Sequence, residues 1–210
     1  THTMDVADPA AWDELAETVE AAHGGADLLV NNAGITVHGP FAAQSAADLD
    51  RIVDVNLRGV LHGCRAFLPQ LLARGEAHIV NVSSLAGRVA FPHQSTYCAT
   101  KFAVRGFSAA LRMELSGRGV GVTAVMPGAV ATRLLEAARS YDRPASRKMA
   151  ELMLAHGTRP ERVADRIVRA IRNDEPEVLI GWDARLTTAL SALAPSALYG
   201  VLALAARARS

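Results

Sequence analysis

Short apolar runs alternate with longer stretches of helical periodicity along this chain. Four runs end at or near a loop and are typical of buried parallel strands: 28–30, 79–82, 122–125 and 178–181. Between them, apolar residues recur three and four positions apart, as on one face of a helix. Alternating strands and helices of this length predict an α/β fold with a doubly wound parallel sheet, covered on both faces.

Several helix boundaries carry capping signals. Asp8 and Pro9 predict a helix start, and the glycines at 24–25 predict its end. Ser45 followed by Asp48 resembles a capping box, so we expect a long helix through 49–64. Residues 1–6 resemble the end of a strand.

Further helices are predicted in the second half of the chain. One runs from about Tyr97 to Gly117, and Thr158 is placed to cap another that continues through Ile171. Segment 129–157 lacks a regular pattern, and we interpret it as a helical excursion over a substrate pocket. The whole chain, 1–210, is predicted to form one domain.

The C-terminal tail, 184–210, is rich in leucine and alanine and is broken by Pro195. Its apolar part is too short for a membrane-spanning helix, which needs about 20 residues. It could pack on the pocket, pack on a second subunit, or attach to a membrane surface with Arg207 and Arg209 at headgroup level. The sequence leaves these three alternatives open.

Composition excludes some functions. The net charge is +1 and no basic run occurs, which argues against nucleic acid as a partner. Cys64 and Cys98 have neither disulfide nor metal-ligand spacing, so we expect two core residues, a reducing cytoplasmic compartment and no metal site. The N-terminus does not resemble a signal peptide.

Tyr97 and Lys101 lie four residues apart and would share one face of a helix. An ammonium near a phenol favours the phenolate, so we expect Lys101 to lower the pKa of Tyr97. The chain has twenty arginines and only two lysines, which makes a lysine at this position notable. Tyr97 is therefore a candidate general acid or base.

Five sequence elements in order resemble the short-chain dehydrogenase/reductase family, a Rossmann-type group of NAD(P)-dependent oxidoreductases. The resemblance covers nearly the whole chain. It rests on the run 31–34 (Asn-Asn-Ala-Gly), Asn56, Ser84 thirteen residues before Tyr97, the Tyr97/Lys101 pair, and Pro127-Gly128 with Thr132.

The resemblance implies a catalytic role for each of four residues. Tyr97 would exchange a proton with the substrate oxygen while the nicotinamide exchanges hydride with the carbon. Ser84 would hydrogen-bond the same oxygen. Lys101 would lower the pKa of Tyr97 and bind the nicotinamide ribose, and Asn56 would hold a water molecule linked to Lys101, although a buried structural hydrogen bond is the alternative for Asn56.

The resemblance also implies residues that bind the NAD or NADP cofactor and the substrate. On the adenosine side these would be Asp5, Val6, Asn32, Ala33 and Gly34, and beside the nicotinamide Pro127, Gly128, Val130 and Thr132. His93 and Gln94 precede Tyr97 where the family places substrate contacts. The implied substrate is a small alcohol or carbonyl compound, and the implied assembly is a homodimer or homotetramer.

One feature of the family is missing from these 210 residues. The family begins with a strand and a glycine-rich turn, T-G-x-x-x-G-x-G, whose backbone amides bind the cofactor pyrophosphate. We expect the chain to be a fragment of a longer protein, and the alternative is a non-catalytic scaffold unable to bind cofactor. The choice between NAD and NADP normally depends on residues of that missing part.

Overall fold

Four parallel strands form the central sheet of the chain. The computed structural model describes residues 1–132, 134 and 138–207. The sheet order is β1-β3-β4-β6, and two short strands, β2 and β5, pair separately in parallel. The strands are β1 (Leu28–Asn31), β2 (Val37–His38), β3 (Ala77–Val82), β4 (Val120–Pro127), β5 (Arg139–Ser140) and β6 (Glu177–Ile180).

Helices connect the strands in the alternating order that the sequence predicts. They are α1 (Pro9–His23), α2 (Ala46–Val53), α3 (Gly59–Arg74), α4 (Ser95–Glu114), α5 (Arg143–His156), α6 (Pro160–Arg172), α7 (Trp182–Leu193) and α8 (Pro195–Arg207). The predicted α/β class with a parallel Rossmann-type sheet is confirmed.

The two faces of the sheet bury different clusters. Helices α1, α3 and α4 cover one face, where Leu29, Ile79 and Val122 belong to the larger core cluster. Helix α6 covers the other face, where Val80 and Val125 pack against its apolar side. Because successive strand residues point to opposite faces of the sheet, each buried strand needs helices packed on both faces.

Strand β1 departs from the prediction of a fully buried strand. Leu29 is buried, whereas Leu28 and Val30 are exposed on the opposite face. Helix α6 reaches β3, β4 and β6 but does not extend over β1 within the described residues. The sheet is therefore covered on both faces only away from this edge.

The N-terminal residues 1–6 do not form the predicted strand end. They pair with no strand in the described part of the chain, and a turn occupies Val6 and Ala7. Strand β1 pairs with β3 on one side, and residues 1–6 do not pair with its other edge. Instead, the Trp12 indole N–H donates to the Val6 carbonyl oxygen at 3.0 Å.

Most predicted caps are present. Asp8 accepts a hydrogen bond from the Ala10 backbone N–H at 2.9 Å, and Gly24 ends α1 with a left-handed φ of 71°. The Ser45 hydroxyl caps α2 by accepting from the Asp48 N–H at 3.2 Å. The predicted cap at Thr158 is wrong, because its backbone pairs with Val130 and α6 begins one residue later, after Arg159.

Segment 129–157 contains α5, as the predicted helical excursion requires, and also one unpredicted strand. Val37 and His38 of β2 pair in register with Arg139 and Ser140 of β5. A two-residue parallel pair between distant segments has no periodicity that a sequence pattern can reveal. Residues 133 and 135–137 of this excursion lie outside the described residues.

The C-terminal tail forms two helices that meet at Pro195, where the sequence predicts the break. Leu198 and Leu202 of α8 pack against Leu85 and Val89, close to Ser84 in the chain. One side of α8 therefore packs against the cluster that follows Ser84 in the chain, and the three alternatives for the tail remain predictions. Among the helices that the structure describes, none has the length and apolarity to span a membrane.

Candidate active site

Two adjacent serines follow β3 at the carboxyl edge of the sheet, and they have different environments. Ser83 is buried, and its hydroxyl donates to the Lys101 carbonyl oxygen at 2.8 Å. Ser84 is half-buried and precedes a short 3₁₀ turn, where its Oγ accepts from the Ala86 N–H at 3.1 Å. Ser83 therefore joins the end of β3 to α4 as a structural residue, whereas Ser84 lies beside Tyr97.

Tyr97 lies in the first turn of α4 and contacts Ser84. Burial raises the pKa of the Tyr97 phenol above its usual value of 10, and a hydrogen bond from the Ser84 hydroxyl opposes that rise. The neighbouring Cys98 adds slightly to the increase. The expected lowering of the Tyr97 pKa by Lys101 is therefore wrong for this structure, because the cost of desolvating the phenolate is larger than any opposing contribution.

Lys101 shares a helix face with Tyr97, as the four-residue spacing predicts. Its Nζ lies 5.8 Å from the centre of the Tyr97 ring and donates to the Val82 carbonyl oxygen at 2.9 Å. Only 4% of Lys101 is exposed, and burial lowers its pKa from 10.5 to about 8. A lysine with this pKa can gain and lose a proton near neutral pH.

Asn56 lies in a π-helical turn, Asp54–Arg58, between α2 and α3. The predicted long helix is thus a continuous helical segment with one widened turn, a feature often found at functional sites. Asn56 is fully buried; its Oδ1 accepts from the Ile35 N–H and its Nδ2 donates to the Ile35 carbonyl oxygen, both at 2.8 Å. These bonds show the structural role that the sequence left as an alternative.

Asn56 also approaches the candidate catalytic residue Lys101 through the loop after β1. A Cβ added to Gly34 would lie 3.3 Å from Asn56 Oδ1 and 3.4 Å from Lys101 Nζ. Asn56 Nδ2 also donates to the Thr100 Oγ1 at 3.3 Å, one residue before Lys101. Because an amide oxygen has two lone pairs, Asn56 Oδ1 can accept a second hydrogen bond.

A buried polar network links the strands behind the site. Asn31 Nδ2 donates to Asn81 Oδ1 at 2.8 Å, and Asn81 Nδ2 donates to the Ser108 Oγ at 3.0 Å. Cys64 touches both amides, and burial raises the pKa of its thiol to about 12. Asn31 thus joins neighbouring strands, and Cys64 is the core residue that the sequence predicts.

The loop after β4 returns to the same edge of the sheet. The Gly128 N–H donates to the Ile180 carbonyl oxygen, and the Ala129 N–H donates to the Asp183 carboxylate at 2.7 Å. A Cβ on Gly128 would overlap that carboxylate, so the position requires glycine for packing. Asp183 thereby holds the loop that carries the expected cofactor residues.

The remaining residues of this loop are held by backbone contacts. Val130 pairs with Thr158 in an isolated parallel bridge, and the Thr132 N–H donates to the Val130 carbonyl oxygen at 2.8 Å. Pro127 is the last residue of β4 and pairs with Ile180. The structure thus groups all four expected nicotinamide-side residues, Pro127, Gly128, Val130 and Thr132, in one segment.

A cleft of about 130 Å³ lies at the carboxyl end of β1. Val6, Asn32 and Ala33 line it together with Gly59 of α3. The Asp5 carboxylate is not among the cleft-lining groups and accepts from the Ala7 N–H at 2.9 Å. The structure therefore brings together three of the expected adenosine-side residues, and Gly34 lies with the catalytic group instead.

His93 and Gln94 lie immediately before α4. His93 has a left-handed φ of 62°, and its ring centre lies 5.9 Å from that of His38. The His93 carbonyl oxygen accepts from the Gly39 N–H at 2.9 Å, which joins this turn to β2. Gln94 precedes the first turn of α4, and its side chain makes no capping bond.

Three further residues shape the site without a role predicted from the sequence: Thr100, Asn81 and Asp183. Thr100 and Asn81 are buried polar residues among apolar ones, a signal that could have marked them. Asp183 carries no such signal, because its contact with Ala129 joins distant parts of the chain. In the part of the chain that the structure describes, no cluster of three or more histidine, cysteine or acidic side chains could hold a metal ion.

A family model for short chain dehydrogenases matches residues 1–143. The chain belongs to the short-chain dehydrogenase family. The match includes every catalytic candidate, from Asn56 through Ser84 and Tyr97 to Lys101.

Relatives in this family are similar over most of the chain. EphD of Mycobacterium tuberculosis, named as a probable oxidoreductase, is 38% identical over 207 residues, which cover 94% of this chain and 35% of EphD. SadH of the same organism, also named as an oxidoreductase, is 37% identical over 206 residues, covering 95% of this chain and 74% of SadH. The chain thus spans about a third of EphD and about three quarters of SadH.

Solved structures of the family share the fold. A short chain dehydrogenase/reductase from Burkholderia phymatum in complex with NAD superimposes with a TM-score of 0.82 and 30% identity, over 89% of this chain and 72% of that one. ElxO with NADP bound gives a TM-score of 0.60 and 28% identity, over 61% of this chain and 52% of that one. Both nicotinamide cofactors therefore occur among the family's structural neighbours.

Proposed function

We propose that this chain carries the catalytic part of an oxidoreductase that interconverts a carbonyl and an alcohol with NAD or NADP. Tyr97 is the general acid and base of the reaction. The observation that supports the proposal is the position of Tyr97 between a hydrogen bond to Ser84 and the ammonium of Lys101, 5.8 Å from its ring.

Ser84 and Tyr97 together form a binding site for the substrate oxygen. In reduction of a ketone or aldehyde, negative charge develops on that oxygen, and two hydroxyl donors stabilise it. Tyr97 then transfers its proton to the substrate oxygen, while the Ser84 hydroxyl continues to donate a hydrogen bond to that oxygen. In the oxidation of an alcohol the same proton returns to Tyr97.

Lys101 makes the proton transfer from Tyr97 less costly. When Tyr97 loses its proton in the reaction, the Lys101 ammonium favours the phenolate that forms, because an opposite charge lies nearby. With a pKa of about 8, Lys101 can also exchange a proton with water. Asn56 Oδ1 can orient such a water, because it keeps one lone pair besides the bond from Ile35.

The cofactor supplies hydride to the carbonyl carbon, or accepts it from the alcohol carbon, when it is bound. Lys101 and the segment 127–132 would hold its nicotinamide side, and Val6, Asn32 and Ala33 the adenosine side. The close approach of Gly34 to Lys101 and Asn56 fits a site where backbone must come near a ligand.

The substrate is a small molecule with a secondary or primary alcohol, or the matching ketone or aldehyde. His93 and Gln94 precede Tyr97 by four and three residues, and we propose that both contact the substrate. The lid role of segment 129–157 and the homodimer or homotetramer remain predictions.

Replacing Tyr97 with phenylalanine tests the proposal directly. In the full-length protein, Tyr97→Phe should abolish nearly all turnover, because it removes the hydroxyl that donates the proton, while leaving NADH or NADPH binding intact. Tyr199→Phe, in the exposed surface of α8, is the matched control and should retain activity. Substantial turnover by Tyr97→Phe would exclude Tyr97 as the acid and base.

A non-catalytic scaffold is the second candidate, because burial raises the pKa of Tyr97 and so disfavours the phenolate that the reaction requires. Fluorescence titration of the full-length protein with NADH and NADPH separates the two. Saturable binding of either supports the oxidoreductase. Failure to bind both, in a protein shown to be folded by circular dichroism, supports the scaffold.

A further inference from the structure

Helix α7 presents an apolar stripe to the outside of the molecule. Trp182, Leu186, Leu190 and Leu193 recur at helical spacing on one side, and Trp182 and Leu193 are 76% and 84% exposed. The opposite side of α7 carries Ala184, which is buried in the cluster beneath the helix. An exposed stripe of this size on one helix is unusual unless it meets another surface.

Helix α8 extends the same apolar surface. Its inner side, Leu198 and Leu202, packs against the cluster beside Ser84, whereas Val201 and Leu204 are 65% and 68% exposed. The two helices contact each other, so their exposed apolar residues lie on neighbouring elements. We call this face the α7–α8 surface; it consists of Trp182, Leu186, Leu190, Leu193, Val201 and Leu204.

The two exposed charged residues of α7 and α8 have the same sign. Across residues 182–207 the only charged side chains are Asp183, Arg185 and Arg207. The Asp183 carboxylate accepts from the Ala129 N–H and belongs to the loop after β4, whereas Arg185 and Arg207 are exposed. The exposed charges on α7 and α8 themselves are therefore both positive.

We propose that the α7–α8 surface binds the interface of an anionic lipid membrane. An apolar helix face bordered by arginines is the arrangement that inserts between headgroups, with the arginines at phosphate level. A tryptophan at the end of the stripe suits the same boundary, because its ring prefers the interface. Neither helix spans the bilayer; both lie along it.

Charge also favours lipid over a second copy of the chain. A two-fold contact would place the same face against itself and bring arginines of equal sign together. An anionic membrane instead supplies the opposite charge. The outer sides of α7 and α8 would therefore contact the membrane. The inner side of α8 packs against the cluster beside Ser84.

Vesicle binding by the full chain tests the proposal. Cosedimentation is measured with phosphatidylcholine vesicles alone and with vesicles that contain about one quarter phosphatidylserine. The chain should bind the anionic vesicles more tightly, and the tryptophan emission should shift to the blue. Trp12 is buried, so the shift reports Trp182, and Trp182→Phe should remove it.

Three substitutions distinguish insertion of the α7–α8 surface into lipid from self-association of the chain. Leu193→Glu should weaken binding at least about tenfold, because a charge replaces an inserted leucine. Arg185→Gln should weaken binding to anionic vesicles about fivefold and leave neutral vesicles unaffected. Met113→Glu is the matched control on α4, where Met113 is 73% exposed, and should bind as the unmodified chain does.

Three results would overturn the proposal. The first is no binding to either vesicle by the unmodified chain. The second is equal binding by Leu193→Glu and the unmodified chain. The third is a smaller oligomer for Leu193→Glu in sedimentation velocity without lipid, which would assign the α7–α8 surface to a second copy.

Discussion

The Lys101 ammonium lies 5.8 Å from the centre of the Tyr97 ring while it donates to the Val82 carbonyl oxygen at 2.9 Å. Val82 ends β3, the strand that leads into Ser84, so one strand end positions both the serine and the lysine. Burial shifts both titratable groups toward their neutral forms, raising the pKa of Tyr97 and lowering that of Lys101 to about 8. The site therefore holds a phenol and a lysine side by side, and burial favours the neutral form of each.

Removing the Lys101 charge should change the pH dependence of stability. Its pKa is about 8 in the folded chain and 10.5 when unperturbed, so the unfolded chain binds more protons between these values. The free energy of unfolding of the unmodified protein should therefore rise as the pH increases from 8 to 10. Lys101→Met should lack this rise and be about 2 kcal/mol more stable at pH 7, after allowing for the lost hydrogen bond to Val82.

Urea unfolding at pH 7 and pH 9 measures this difference. Lys148→Met, at an exposed position of α5, is the matched control and should follow the unmodified protein. Lys101→Met should also lose most turnover. A stability profile for Lys101→Met that rises like that of the unmodified protein would show that burial of Lys101 does not cause the dependence.

Gly34→Ala should damage catalysis more than folding. The added methyl would lie 3.3 Å from Asn56 Oδ1 and 3.4 Å from Lys101 Nζ, so both must move by a few tenths of an ångström. We expect kcat/KM to fall about tenfold because Lys101 shifts relative to Tyr97. The free energy of unfolding should change by less than about 1 kcal/mol.

Steady-state kinetics and thermal unfolding check this expectation. Gly106→Ala, in α4, is a matched control because a Cβ there meets nothing within 4 Å. It should preserve activity and stabilise the helix slightly. Unchanged kcat/KM in Gly34→Ala would mean that the site tolerates a displaced Lys101.

His78 should make the fold sensitive to acid at the edge of the sheet opposite the active site. It is buried, and its Nε2 lies 2.8 Å from the Thr123 Oγ1. Burial lowers its pKa below 6.5; Asp174 partly opposes this lowering, and Arg112 adds to it. The unfolded chain thus takes up a proton first, and stability should fall as the pH drops below 6.5.

Urea unfolding between pH 7 and pH 5 tests the role of His78. His78→Gln should flatten the loss of stability over this range, because glutamine can still donate to Thr123 and does not titrate. His2→Gln, at an exposed position, should leave the slope unchanged. An equally steep loss in His78→Gln would assign the acid sensitivity to different titratable groups.

Local signals in the sequence predicted much of the fold. The caps at Asp8, Gly24 and Ser45 were correct because each depends on residues within one turn of the helix. The cap at Thr158 failed because its backbone is used in a bridge to Val130, a contact across 28 positions of the chain. The pairing of β2 with β5 was missed for the same reason.

Within the site, spacing along the chain predicted which groups would meet. Ser84, Tyr97 and Lys101 lie together because a strand end and one helix turn place them there. The pKa direction of Tyr97 was wrong because it depends on how much water surrounds the phenol. No pattern of residue types encodes that quantity.

The sequence by itself determined the α/β class, the order of the four main strands with the helices between them, and the pairing of Tyr97 with Lys101. These follow from hydrophobic periodicity and from fixed spacings within single elements, whereas the roles of Asn56 and Ser84 were implied by the resemblance to the short-chain dehydrogenase family. Only the tertiary structure decided that β1 is uncovered on one face, that Asp183 occupies the space beside Gly128, and that burial governs the charges of Tyr97 and Lys101. Each of these depends on contacts between distant segments and on the exclusion of water, which arise only when the chain is folded.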